Sequence, residues 1–180
     1  LDPYNFTAKI STNNPTIVLD GNKLQIKTVK TNIFLKSLIN NEFSIDDLQI
    51  STKLIKLNDL ILLARSFKNS TELFLLDNVI EDGFLTADIK LEFDNNGNLR
   101  DNYQVNGFLQ NANFNFFNQF NIKDLNLKFS INEKKYTLTK IKTDFIDIEL
   151  SSPLIEVVKE NDLFLIKGKI LTKEKNFNAN

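Results

Sequence analysis

Residues 84–93 read FLTADIKLEF, with Leu85, Ala87, Ile89, Leu91 and Phe93 alternating against Thr86, Asp88, Lys90 and Glu92. Successive side chains of a strand point to opposite faces, so this segment has one apolar face and one charged face. The alternation returns downstream. Tyr103, Val105, Gly107 and Leu109 stand against Gln104, Asn106 and Phe108, then Leu125, Leu127, Phe129 and Ile131 against Asn126, Lys128 and Ser130. Strands covered on both faces read as continuous apolar runs, whereas one-faced alternation belongs to antiparallel strands that lie on a core or line a cavity. The turns agree: DNNGN over 94–98 carries the Asn96-Gly97 dipeptide, residues 132–135 join a later pair, and 160–162 join the last. Short loops between sequential strands give an antiparallel meander. Strands are expected over Phe84–Phe93, Asn102–Leu109, Asp124–Ile131 and Tyr136–Ile141 of one twisted sheet. With no proline from Phe84 to Ser152, they are free to be long.

Upstream, Tyr4–Ile10, Thr16–Leu19, Leu24–Leu35 and Phe43–Ser51 also read as strands, and Asp20-Gly21 closes a hairpin over Thr16–Lys27. The apolar phase changes between Leu24/Ile26 and Val29/Ile33/Leu35, which requires a bulge or a break near Thr28. From Leu57 the period becomes helical: Leu57, Leu60, Ile61, Ala64 and Phe67 share a stripe, Asp59 sits in the first turn, and Arg65 and Lys68 lie near the end. Residues 69–71 read as a break and fresh N-cap, after which Leu73, Leu76 and Ile80 continue to Gly83. Two helices are therefore expected, Leu57–Phe67 and Thr71–Asp82, plugging or capping the sheet. The fold class is mainly β (α+β). Residues 1–180 are expected to be one fragment of a larger β domain, divided into N-terminal strands (1–52), a helical insertion (55–82) and the regular meander (83–171).

Composition narrows function by what is missing. Without His, Cys, Met or Trp, the chain has no Ser-His-Asp triad, cysteine nucleophile, His/Cys zinc site or disulfide. A net charge of −1 with interspersed signs supplies no basic patch for nucleic acid. The closest carboxylates, Asp46-Asp47, Glu81-Asp82 and Asp144/Asp147/Glu149, read as solvated surface groups. Asp94, Asn96 and Asn98 place oxygens at alternate positions, but Gly97 is out of step with a calcium loop, and a hairpin turn accounts for them. No enzyme activity, cofactor or metal is expected. The abundance of Asn, Lys, Ile and Phe matches an AT-rich coding bias. The longest apolar run, Leu60–Ala64, is far too short to cross a bilayer. The start at Leu1 and the polar end at 176–180 fit an excised piece.

The order FSIDDLQIST (43–52), IKLNDLILLARSF (55–67), LFLLDNVIEDGFLTADIKLEF (73–93) and YQVNGFLQNANFNFFNQFNIKDLNLKFSI (103–131) resembles the AsmA-like family, bacterial envelope proteins related to TamB and YhdP. The resemblance implies a repeating β-groove in the periplasm, anchored to the inner membrane by an N-terminal transmembrane helix outside this segment. Its apolar lining would conduct phospholipid or other acyl chains toward the outer membrane, in outer-membrane biogenesis. The lining here would be Leu85, Ala87, Ile89, Leu91, Phe93, Tyr103, Val105, Leu109, Leu125, Leu127, Phe129 and Ile131. The residues by themselves leave a second arrangement open, in which the apolar faces pack on each other or under the helices. That arrangement would make the chain a non-catalytic structural or adhesive β-sandwich module of the cell envelope.

Overall fold

The computed structural model describes residues 6–19, 22–40, 42, 45–67, 71–94, 96–116, 119–146, 148–160 and 163–173. The element order is β1 (Thr7–Asn13), β2 (Thr16–Leu19), β3 (Asn22–Phe34), α1 (Leu35–Ile39), β4 (Ile45–Thr52), β5 (Ile55–Lys56), α2 (Leu57–Phe67), α3 (Thr71–Val79) and β6 (Ile80–Glu92). The long meander follows: β7 (Gln104–Phe116), β8 (Phe120–Asn132), β9 (Lys135–Phe145), β10 (Ile148–Glu160), β11 (Leu163–Gly168) and β12 (Leu171–Thr172). All described strands join one sheet in the order β1-β3-β4-β6-β7-β8-β9-β10-β11, with β2 on β3, β5 on β6 and β12 on β10. Every pairing is antiparallel, and β1 and β11 do not meet, so the sheet is open. No second sheet faces it among the described residues, so the sandwich arrangement is not adopted.

One layer leaves a large surface. The chain exposes 12691 Å², against about 8,900 Å² for a compact chain of the same 20.7 kDa. The buried core is correspondingly small and lies where α2 packs on the strands from β3 to β8. There α2 lays Leu57 and Ile61 on Ile80 and Ala112, with Leu73, Leu85, Leu109, Phe114 and Leu125 around them. Beside this, Leu24, Ile26 and Ile55 gather Ile17, Val29, Ile50 and Leu60. Ala112 is 0% exposed. A Cβ on Gly83 would stand 2.7 Å from the Ala112 Cα and 2.9 Å from Leu57 Cδ1, so two small residues let the helix come down onto the strands. An Arg65–Asp77 ion pair ties α2 to α3, and the Arg65 guanidinium lies 5.6 Å from the centre of the Phe74 ring.

The strands are longer than the alternation alone marks because each changes phase partway along. In β7 the apolar series runs Val105, Gly107, Leu109 and then Ala112, Phe114, Phe116; in β8 it runs Phe120, Ile122 and then Leu125, Leu127, Phe129, Ile131. The register shifts lie at these steps, between Leu109 and Ala112 in β7 and between Lys123 and Asn126 in β8. The inserted residues are Asn111 and Asp124, at φ +48° and +50°, and a bulge that adds one residue returns apolar side chains to the same face. Lys140 (φ 53) does the same in β9, and opposite it Pro153 drops out of the β10 ladder, so both strands switch together. With Gly83 (φ 141) in β6, a line of irregularities crosses five neighbouring strands. The shift expected near Thr28 is present, between Ile26 and Thr28.

Several expectations change. Helix α3 ends at Val79, not Asp82, because Ile80 pairs with Phe114 in the sheet and is buried under α2; Gly83 serves a strand bulge and not a helix cap. The short α1 departs from the strand expected to run through Leu35, because the β-like alternation continues into its first residue. Asparagine content is more than coding bias. Asn111 N–H donates to Asn126 Oδ1 (3.1 Å) and Asp124 N–H to Asn113 Oδ1 (2.9 Å), so side-chain amides satisfy backbone donors that the bulges take out of the ladder. Asp47 is buried and not a solvated group: it accepts from Asn32 N–H (3.2 Å) and Gln49 Nε2 (2.8 Å) where the β3–β4 register shifts. The turns at 20–21 and 161–162, the break at 68–70 and Asp147 lie outside the described residues.

Candidate apolar binding face

The registers join the one-faced strands into rows. One row passes through Thr12, Val29, Ile50, Ile89, Val105, Ile131, Tyr136, Val157 and Ile166, each the direct partner of the next. Eight interstrand gaps of about 4.8 Å make it about 38 Å long. A second row, Ala87, Gly107, Phe129, Leu138, Ile155 and Gly168, runs beside it, and a third begins with Leu85, Leu109 and Leu127. The face therefore extends beyond the residues singled out from sequence. Val29, Ile50, Leu138, Ile155, Val157 and Ile166 belong to it; their signal in the sequence is alternation within each strand, which does not say which strands are neighbours.

Ten of the twelve candidate residues, Leu85, Ala87, Ile89, Leu91, Val105, Leu109, Leu125, Leu127, Phe129 and Ile131, lie on β6, β7 and β8 and share this face. Leu91 extends it to Leu48 of β4. Phe93 and Tyr103 sit at the rim, just after β6 and just before β7, where Phe93 bridges to Leu99. Ala87 is buried and the other eleven are half-buried. The ring of Phe129 leans over Gly107, where a Cβ would meet Phe129 Cζ at 2.5 Å and collide with the Thr86 carbonyl oxygen. Glycine at this point lets the aromatic ring come down onto the strand. Over β6, β7 and β8, α2 and α3 cover Leu85, Leu109 and Leu125, while the rows running away through β9, β10 and β11 have no covering element among the described residues.

The opposite face is mostly polar, with Phe108, Leu154, Val158, Leu163 and Leu165 as apolar exceptions. Its matching row is Asn13, Thr28, Ser51, Asp88, Asn106, Ser130, Thr137, Glu156 and Lys167. Lys90 pairs with Glu92 (2.6 Å) and Lys135 with Glu156 (2.5 Å). The hydrogen bond and charge of Glu92 raise the Lys90 pKa, and the bonds from Lys90 and then Asn102 hold Glu92 below the usual carboxylate range. Shallow depressions here share Ser51, Asp88 and Asn106 around a single carboxylate, which is not the paired arrangement that acid–base hydrolysis uses. At the 94–98 turn, Asp94 Oδ1 accepts from Asn96 N–H (2.9 Å) and Asn98 N–H (2.8 Å), and Oδ2 from Asn98 Nδ2 (3.0 Å). Both oxygens thus hold the hairpin, and the Asn98 side-chain bond, first among these, lowers the Asp94 pKa. No group of three or more metal-ligating side chains occurs among the described residues, and no described helix is long and apolar enough to cross a membrane.

The chemistry on offer is thus a long, water-shedding surface on one side and a solvated surface on the other. No family model, curated protein or solved structure matches this chain.

Proposed function

We propose that the apolar face binds acyl chains of phospholipids or related lipids, and that the chain is a segment of an AsmA-like groove along which such lipids move between the inner and outer membranes. The observation that carries this reading is the apolar row that runs across eight strands from Val29 to Ile166, on a single-layer sheet without a second sheet over it among the described residues. Leaving such a surface to water is unfavourable by roughly 25 cal/mol per Å², and contiguous patches of this extent mark ligand or membrane contact. At about 34 Å, seven interstrand gaps from Val29 to Ile166, the apolar row is more than twice the length of one bilayer leaflet's hydrocarbon, about 15 Å, so a tail lying along it has room to slide. An acyl chain needs no metal, base or donor set, which fits a face that offers none. In this reading the full protein stands in the periplasm, held to the inner membrane by a transmembrane helix outside this segment.

Extraction of the purified chain, together with native mass spectrometry, tests the proposal. Phospholipid should copurify, and a mutant carrying charges on the face should lose it. Protein that is folded and lipid-free after detergent-free purification, and that takes up no fluorescent phospholipid from vesicles, would overturn it.

A further inference from the structure

The polar face puckers where two bulges meet on either side of β4. On β3 the register steps from Ile26 opposite Thr52 to Thr28 opposite Ser51, which leaves Lys27 as an extra residue. On the β6 side Ser51 pairs with Asp88 and the ladder resumes at Ile55 with Leu85, so residues 52–54 stand against only 86 and 87. Thr52 Oγ1 accepts the Ala87 N–H (2.8 Å) across this gap. The depression between the two bulges and β7 holds about 310 Å³, the lower end of the range of ligand clefts, and its lining includes Lys27, Ser51, Thr86, Asp88, Asn106 and Phe108. The side chains of Lys27, Ser51, Thr86, Asp88 and Asn106 have no hydrogen-bond or ion-pair partner among the described residues. Elsewhere on this face Lys90 and Lys135 are spent on Glu92 and Glu156. Phe108 is 43% exposed, between Thr86 of β6 and Lys128 of β8. Lys128 Nζ lies over one side of its ring, 4.6 Å from the centre, so the other side turns toward Thr86 and the depression.

We propose that this depression is a binding subsite for a neutral hexopyranose unit of a glycan. It lies on the side of the sheet away from the apolar rows and does not rest on the lipid reading. One ammonium and one carboxylate cancel, which selects against a charged ligand: a phosphate would meet Asp88, and a quaternary ammonium would meet Lys27. A sugar hydroxyl both donates and accepts. The depression answers both needs, since Asp88 accepts, Lys27 donates, and Ser51, Thr86 and Asn106 do either. The C–H bonds on one flat side of a pyranose ring are weakly positive and pack on the negative π-face of Phe108 that Lys128 leaves open. A neighbouring depression of about 300 Å³ shares Ser51, Asp88 and Asn106 and continues along the strands to Gln49 and Gln104. A second ring of the same glycan therefore has room beside the first. With a single carboxylate the subsite holds the sugar and does not cleave it.

Titration of the isotope-labelled chain, followed through its amide resonances, tests the subsite with cellotriose, maltotriose and chitotriose as probes and with inorganic phosphate and tetramethylammonium as charged controls. At least one of the glycans should shift the amides of Ser51, Asp88, Asn106 and Phe108 in the millimolar range, and neither control should. Phe108→Ala, which removes the stacking ring, and Asp88→Asn, which keeps the shape but removes the charged acceptor, should each weaken binding by about tenfold or more, with an unchanged circular dichroism spectrum. No shift with any of the glycans, shifts confined to other residues, shifts of these amides by phosphate or tetramethylammonium, or binding indifferent to both substitutions would each overturn the proposal.

Discussion

Replacing Leu127 with Arg separates a sheet open on its apolar side from one that is covered. Leu127 sits in the middle of β8, opposite Leu109, and is half-buried. Complete burial of a leucine is worth about 1.5–3 kcal/mol. Losing the buried half costs about 1 kcal/mol, and the arginine stem recovers part of that while its guanidinium reaches water. Ile26, 2% exposed in the small core beside α2, is the matched control. An arginine there is an uncompensated buried charge, costing about 3–5 kcal/mol, a large share of the stability of a domain this size. Urea denaturation followed by circular dichroism gives both numbers. Leu127→Arg should stay folded with a modestly lower midpoint, and Ile26→Arg should be largely unfolded. If Leu127→Arg unfolds the chain as completely as Ile26→Arg, the face is covered and the reasoning fails.

Gly107→Ala should lower stability by about 1–3 kcal/mol, since its Cβ would collide with the Thr86 carbonyl and the Phe129 ring; an unchanged denaturation midpoint would contradict the close β6–β7 approach. Asn126→Ala removes the acceptor of Asn111 N–H and the donor to the Asp124 carbonyl (2.7 Å). Because both sites are exposed and water can step in, the loss should be about 0.5–1.5 kcal/mol, with faster hydrogen exchange at Asn111; unaltered exchange there would count against the side-chain cap. Glu92 and Asp94 have lowered pKa values in the fold, so their contribution is complete above their unfolded values and fades only as pH falls through the lower folded ones. The Asn96 and Asn98 amide resonances should titrate with a midpoint below that of a free aspartate, and a midpoint at or above it would show that the Asp94 bonds do not persist in solution.

Much of the architecture was legible from alternation because a one-faced strand writes its burial directly into every second residue. Leu85 to Leu91 and Leu125 to Ile131 gave both the strand type and the shared face, and the helical period of Leu57, Leu60 and Ile61 gave α2 to the residue. Extensions beyond Leu109 and before Leu125 were harder to see, since Asn111 and Asp124 reverse the phase and a strand that changes phase looks like two fragments. The fates of Gly83 and Ile80 depended on β7: only once Phe114 and Ala112 are placed is it clear that the chain must leave the helix at Val79. Asp47 illustrates the same limit, for its burial follows from a register shift against Asn32 that no local pattern announces. Continuity of the longest apolar row from β3 to β11 is likewise a property of registers, not of any one segment.

Photo-crosslinking tests the lipid-binding face most directly. A diazirine side chain at Ile89 or Leu127, on the apolar face, should capture phospholipid in membrane-containing extracts, and one at Lys90 or Lys128, on the polar face of the same strands, should not. Equal capture on both faces, or none at Ile89 and Leu127 in folded protein, would contradict the lipid-binding account.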